Sequence, residues 1–196
     1  MPLPDLVELR TSLASRLTDP VIEGLSRSGI TPDALTITGL AINIGAAYVI
    51  ATGHFLPGGL LILVAGVCGL LDGALARFVK QTTKFGALFD STADRISEAA
   101  LFFGLIVWYM LEGSAMGVML ASAALIGSFL VSYIRARAEG LGLECKVGLF
   151  TRAERVIVLT IGLVVNQVTI ALWVLVVFAY VTVIQRLVYL RQQTRK

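Results

Sequence analysis

The sequence predicts an all-α integral membrane protein, with six transmembrane helices preceded by an N-terminal amphipathic helix at the membrane interface. Three observations predict it. Of 196 residues, 57% are hydrophobic and 15% charged, with a mean hydropathy of +0.85. A soluble domain averages about 45–50% and about 25%. Several uncharged runs reach the roughly 20 residues that a helix needs to cross a hydrocarbon core of about 30 Å. The basic residues gather at alternate connections between those runs. The same composition excludes a disordered chain, because ample apolar surface drives burial. Two cysteines, Cys68 and Cys145, are too few for a disulfide scaffold or a four-ligand zinc site.

Residues 1–30 mix charges with apolar residues at helical spacing, among them Leu6, Leu13 and Leu17. That is the pattern of a helix lying in the interface plane, or of a solvated helix packed on the ends of the spans. Residues 31–196 then form a six-helix transmembrane domain. Residues 34–53 carry no charge, and residues 56–76 are apolar until Asp72. The third span, apolar over 99–111, is long enough only if it extends back through Asp94 and Asp90. Residues 115–134 are uncharged. The fifth span, 156–165, is shorter and starts near Arg152, and residues 168–184 are a clean apolar run.

An even number of spans puts both termini on one side. All sixteen Lys and Arg residues then fall on that side, at the N-terminus, in the second and fourth connections and after the last span. Basic residues favour the cytoplasmic face, so a multi-pass cell-membrane protein with cytoplasmic termini is expected. Of the thirteen acidic residues, only Glu112 sits in an opposite loop. Ionisable groups at membrane depth are expensive and mark a reaction or ion site. A transport path is disfavoured, since the outer halves of the spans offer almost no polar residues.

The second span ends with Asp72, Gly73, Ala76 and Arg77, and the third begins with Gly86, Asp90, Asp94 and Glu98. Asp90 and Asp94, four apart, share one helical face, and Asp72 lies on the antiparallel neighbour. Three carboxylates converging without Cys or His favour a hard divalent cation, magnesium or manganese. Glycines 73 and 86 leave space, while Arg77 and Lys84 add positive charge, so a metal-dependent phosphate site is expected. The alternative is a set of interfacial salt bridges from Asp72, Asp90 and Asp94 to Arg77, Lys84 and Arg95.

Asp72-Gly73-x-x-Ala76-Arg77, eight residues, then Gly86-x-x-x-Asp90-x-x-x-Asp94 resembles the signature of the CDP-alcohol phosphatidyltransferases. The expected six-span topology and amphipathic N-terminus are similar to that family too. The resemblance implies that residues 31–196 are catalytic and take a CDP-diacylglycerol-type lipid with its pyrophosphate on Mg2+ or Mn2+. An acceptor hydroxyl would attack the lipid-side phosphorus and CMP would leave. Asp72 and Asp90, within the Asp72, Asp90 and Asp94 metal set, would ligate the ion, and Asp94 would be the general base. Gly73, Ala76, Arg77 and Gly86, with Asp72, would shape the nucleotide pocket. Pro32 and Thr36, in Thr31-Pro32-x-x-Leu35-Thr36, resemble the family's nucleotide-side stretch on the first span. One position departs: the family's signature begins with a metal-ligand aspartate three residues before Asp72, and this chain has Gly69. A water could replace the lost ligand, since magnesium commonly keeps several. Gly66, Gly69 and Gly73 also form a small-residue stripe suited to close helix packing. That stripe and the resemblance raise the expectation of a homodimer.

Arg135 closes the fourth span, and Arg152 and Arg155 open the fifth. Guanidinium groups suit a phosphate through paired hydrogen bonds, so the acceptor is expected to carry its own phosphate. Within the family, Ser132-Tyr133-x-x-Ala136-Arg137-Ala138-Glu139 and Gly148-Leu149-x-x-Arg152-x-Glu154-Arg155 are similar to the branch that makes phosphatidylinositol phosphate, or its archaeal ether-lipid equivalent, from inositol phosphate. Glycerol 3-phosphate is the alternative acceptor. A second alternative is a CDP-lipid-binding homologue impaired at Gly69. These arginines would otherwise serve topology and headgroup contact. The sole histidine, His54, falls in an outer loop far from the acids, and no nucleic-acid partner is expected.

Overall fold

A computed structural model describes residues 21–79 and 82–194. Most of the expected interfacial helix lies outside these residues; within it, residues 21–27 are helical. Six longer helices follow: α1 (Pro32–Ala51), α2 (Phe55–Phe78), α3 (Lys84–Leu111), α4 (Ala115–Gly140), α5 (Arg152–Val164) and α6 (Val168–Gln193).

The expectation of six membrane-spanning helices is corrected by this structure. Among the described residues four helices, α1, α2, α4 and α6, are long and apolar enough to cross a membrane. With its 28 residues α3 has ample length. Even its most apolar 18-residue stretch, residues 94–111, retains Asp94, Arg95 and Glu98. Extending the apolar run back through the carboxylates thus lengthened the helix and forfeited its apolarity. Helix α5 has 13 residues. At 1.5 Å per residue it rises about 20 Å, well short of a hydrocarbon core of about 30 Å.

The helix starts are set by side-chain caps where the site lies. Thr31 accepts a hydrogen bond from the Ala34 amide at 3.2 Å, with Pro32 in the first turn of α1. Thr83 accepts one from Gly86 at 2.9 Å and starts α3. Each satisfies an otherwise orphaned helical N–H. Helix α1 packs on α2 and α3, α4 on α3 and α6, and α5 on α2 and α6. The shared core includes Ile50, Leu101, Phe102, Leu105, Leu163 and Leu172. Backbones approach closely at small residues: a Cβ on Gly104 would stand 2.4 Å from the Ala47 carbonyl oxygen, so α1 and α3 could not meet there with any side chain in place. Apolar side chains such as Ile37, Ile44, Leu63, Val67, Ile126 and Val177 point outward, a surface suited to acyl chains rather than water.

The connection from α4 to α5 is stitched to α6. Phe150 N–H donates to Thr182 Oγ1 at 3.2 Å, and Leu149 N–H donates to Gln185 Oε1 at 3.3 Å. Arg186 Nε donates to the Val147 carbonyl at 3.0 Å, and its Nη1 donates to the Val131 carbonyl of α4. Gly148 lies at φ +140°, where side chains are strained, and a Cβ there would stand 2.9 Å from Thr182 Cγ2. This anchoring fixes where α5, and with it Arg152, begins.

Candidate active site

Asp72 sits near the end of α2, while Asp90 and Asp94 lie on successive turns near the start of α3. Two cavities meet at this point and share Thr36, Asp72 and Asp90. The first, about 160 Å³, also reaches Asp94, Glu98 and Arg152 and runs inward to Asn43 and Ser97. The second is about 420 Å³ and opens between the starts of α1 and α3. Pro32, Thr36, Asp72, Gly73, Ala76, Arg77 and Gly86, the residues expected around the nucleotide, all line it. Its glycines keep it open: a Cβ on Gly73 would stand 3.4 Å from Arg77 Nη1, and one on Gly86 would stand 3.0 Å from Thr83 Oγ1.

The three carboxylates line one cavity but are not drawn together into a metal centre. Among the described residues, no three His, Cys, Asp or Glu side chains form a group that could hold a metal ion as they stand. The reason is visible in their partners. Asp72 Oδ2 accepts a hydrogen bond from Thr36 Oγ1 at 2.6 Å. Asp94 Oδ1 faces Arg152 Nη2 at 2.6 Å. The donor set nevertheless suits a hard divalent cation, since every charged donor is a carboxylate oxygen and all three border the same space. The salt bridges to Arg77, Lys84 and Arg95 offered as the alternative are absent among the described residues.

Gly69 faces this first cavity with Gly66, and a Cβ at either position meets nothing within 4 Å. Gly66 and Gly69 therefore leave open space beside the carboxylates, and among the described residues of this chain no second helix packs against them.

The three arginines expected to bind the acceptor part ways. Arg152 lines the first cavity. Arg135 stands outside both cavities and is paired with Glu139 at 2.8 Å, with both side chains exposed. Arg155 is buried and held by Glu98, its Nε and Nη2 donating to Oε1 and Oε2 at 2.8 and 3.0 Å. Beside it, the Thr151 hydroxyl donates to Glu154 and holds that carboxyl below its ordinary value. Sequence reasoning gave Glu98 no role, although its position four residues after Asp94 places it on the same face. Asn43 and Ser97, at the inner end of the cavity, were also missed. A polar residue in an apolar span and one between two acids were the available signals.

A sequence profile described as CDP-alcohol phosphatidyltransferase matches residues 29–185. The chain belongs to the CDP-alcohol phosphatidyltransferase family. As a transferase of this family it is an enzyme of phospholipid biosynthesis. It is 37% identical to the phosphatidylinositol phosphate synthase of Mycobacteroides abscessus, across 88% of this chain and 83% of that one. To the archaetidylinositol phosphate synthase of Methanothermobacter thermautotrophicus it is 34% identical, across 92% and 91%. Among solved structures, the transferase superposes on Mycobacterium tuberculosis phosphatidylinositol phosphate synthase with CDP-DAG bound. The TM-score is 0.83 at 34% identity, covering 88% of this chain and 92% of that one. A second structure of that protein, in complex with manganese and citrate, gives a TM-score of 0.82 and covers 87% of each chain.

Proposed function

We propose that this transferase moves a phosphatidyl group from a CDP-diacylglycerol-type lipid to a hydroxyl of inositol phosphate and releases CMP. One observation carries the reading: two cavities share Asp72 and Asp90, with small residues and Arg77 on one side and Asp94 and Arg152 on the other. A donor and a phosphorylated acceptor can thus meet across one pair of carboxylates. The names of the relatives support the same donor and acceptor.

In this reading Pro32, Thr36, Gly73, Ala76 and Gly86 cradle the nucleotide, and Arg77 faces its phosphates. Asp72, Asp90 and Asp94 hold Mg2+ or Mn2+, which when bound would neutralise charge on the pyrophosphate. The manganese complex of the M. tuberculosis protein supports a divalent ion of this kind. Asp94 accepts the proton of the acceptor hydroxyl, whose oxygen bonds to the lipid-side phosphorus as the pyrophosphate bond breaks. Arg152 holds the acceptor's phosphate. Arg155 serves by locking α5 onto Glu98, which places Arg152. We set the site-bearing helix ends at the cytoplasmic face of the cell membrane, because Arg77, Lys84, Arg135 and Arg152 cluster there.

The test is CMP release by the purified chain with CDP-diacylglycerol, inositol phosphate and Mg2+. Release is expected, and a chelator abolishes it. Release with glycerol 3-phosphate alone would reassign the acceptor. No release with any acceptor until Gly69→Asp is introduced would mark an impaired homologue.

A further inference from the structure

The first cavity has two ends of different character. Its outer end carries the charges: Asp72, Asp90, Asp94 and Arg152. Its inner end is walled by the buried Ile62 and Leu101 and carries two uncharged polar side chains, Asn43 of α1 and Ser97 of α3. These are only 9% and 5% exposed. Polar groups buried in apolar spans are costly and are kept where something pairs with them. Asn43 does not tie two helices together, because its Oδ1 is buried without a hydrogen-bond partner among the described residues. With that oxygen packed away, the amide end left to face the cavity is Nδ2, a donor. The Ser97 hydroxyl is a second donor on the same wall. Glu98, beside it, has both carboxylate oxygens taken by Arg155.

The cavity also opens sideways. Gly66, Gly69 and Leu70 form its wall on α2, and all three are exposed. A Cβ on either glycine meets nothing within 4 Å. Leu70 shares with Leu63 and Val67 the outer apolar face of α2 that suits acyl chains. A lipid can enter through this side, whereas a water-soluble acceptor comes in through the charged outer end.

We propose that Asn43 and Ser97 donate hydrogen bonds to the acyl-ester carbonyls of the donor, and so select an ester-linked over an ether-linked CDP-lipid. The inference rests on the proposed transfer and names the linkage of its donor. Asn43 lies two turns, about 10 Å, inward of Thr36, whose hydroxyl donates to Asp72. Ser97 lies one turn, about 5 Å, inward of Asp94. With the lipid-side phosphorus at the shared carboxylates, a glyceryl unit and one hydrogen bond at its end cover that interval. The ester carbonyls are the strong acceptors between a glycerolipid's phosphate and its chains. A dialkyl lipid offers only ether oxygens at those places, and they accept poorly. When such a lipid is seated, the amide and the hydroxyl lose water and gain no partner. Sites built on buried donors reject the analogue that lacks the acceptor for this reason.

The test compares two donors. The purified chain is given Mg2+, inositol phosphate and either CDP-diacylglycerol or a CDP-dialkylglycerol of equal chain length, and CMP release is followed across donor concentrations. The ester donor should show a kcat/KM about tenfold higher, the effect of donors paired in one complex and unpaired in the other. Asn43→Leu keeps the size and removes the amide. It should lower kcat/KM for the ester donor and leave the ether donor within about twofold of native, so the preference collapses. Ser97→Ala should narrow it in the same direction. A purely structural role would slow both donors alike. Thermal protection by each CDP-lipid without acceptor should rank the donors in the same order, and protection by CDP alone shows that each variant is folded. Two results overturn the inference: donors of equal kcat/KM in the native chain, or a preference unchanged in both variants. Release of CMP from neither donor overturns the transfer reading instead, and the ranking by thermal protection then decides whether the linkage is read.

Discussion

Replacing Arg155 by Met isolates the contribution of the buried pair. Arg155 is 2% exposed and Glu98 6%, and the two hydrogen bonds between them measure 2.8 and 3.0 Å. Met keeps an unbranched chain of similar reach and removes the charge. Glu98 is then left at the wall of the inner cavity without its cation. Breaking a buried pair in this way costs about 3–5 kcal/mol. For a chain of this length, each kcal/mol moves the melting temperature by about 2–4 °C, so the expected fall is about 6–20 °C. The assay is thermal unfolding in detergent, with Glu98→Met and the double variant measured beside it. The double variant should recover most of the loss, because a well-packed apolar pair often matches a buried ionic one. At temperatures where Arg155→Met is fully folded, its KM for inositol phosphate should rise less than that of Arg152→Gln, because Arg155 positions Arg152 without touching the acceptor. Melting within about 2 °C of native, or a double variant no better than the single, would refute the reasoning. A large rise in KM with unchanged melting would return Arg155 to the acceptor's phosphate.

Asp94→Asn should lower CMP release by at least about 10²–10⁴-fold, since the proton acceptor and one of three metal ligands are lost together, while CDP-lipid binding persists through Asp72 and Asp90; full activity would remove the base assignment. At Gly69 a Cβ meets nothing within 4 Å, so Gly69→Asp should fold as the native chain does. Added one turn before Asp72, this carboxylate should tighten Mn2+ binding about tenfold, measured by electron paramagnetic resonance titration, because ligand charge sets the affinity of such sites. Gly148→Ala meets both a φ of +140° and a 2.9 Å approach to Thr182. It should lower stability by about 1–3 kcal/mol, visible as a lower melting temperature, and raise KM for the acceptor as the start of α5 shifts.

The lining of the second cavity was legible because its information is local. Thr31 to Thr36 lie within one helix start and its cap, Asp72 to Arg77 within the end of α2, and Thr83 to Asp90 within the capped start of α3, so spacing in sequence translates into spacing in the cavity. The contribution of α5 to the first cavity was not. Whether Arg152 or Arg155 faces the cavity depends on the rotation of α5, which is fixed from outside by Thr182, Gln185 and Arg186 on α6. No local pattern encodes those contacts. The span count failed for a related reason. Residues 99–111 and 156–165 read as apolar, but crossing length is judged over a whole turn-by-turn rise, and the missing length on α3 is charged. That charge is what makes the helix useful here.

Helix α5 has one further consequence. It and α6 leave the same turn around Asn166, yet α5 ends its 13-residue rise where α6 still has residues 181–193 to go. Those thirteen positions correspond to about 20 Å. Arg152 therefore opens its helix well short of the level at which α6 ends, on the wall of the cavity that Asp94 also lines. A lipid donor is already held by its acyl chains when its pyrophosphate reaches the carboxylates. A water-soluble anion must enter the cavity and shed hydration to reach the guanidinium. The soluble partner is the one that travels, and the walls of the cavity decide how selective that entry is.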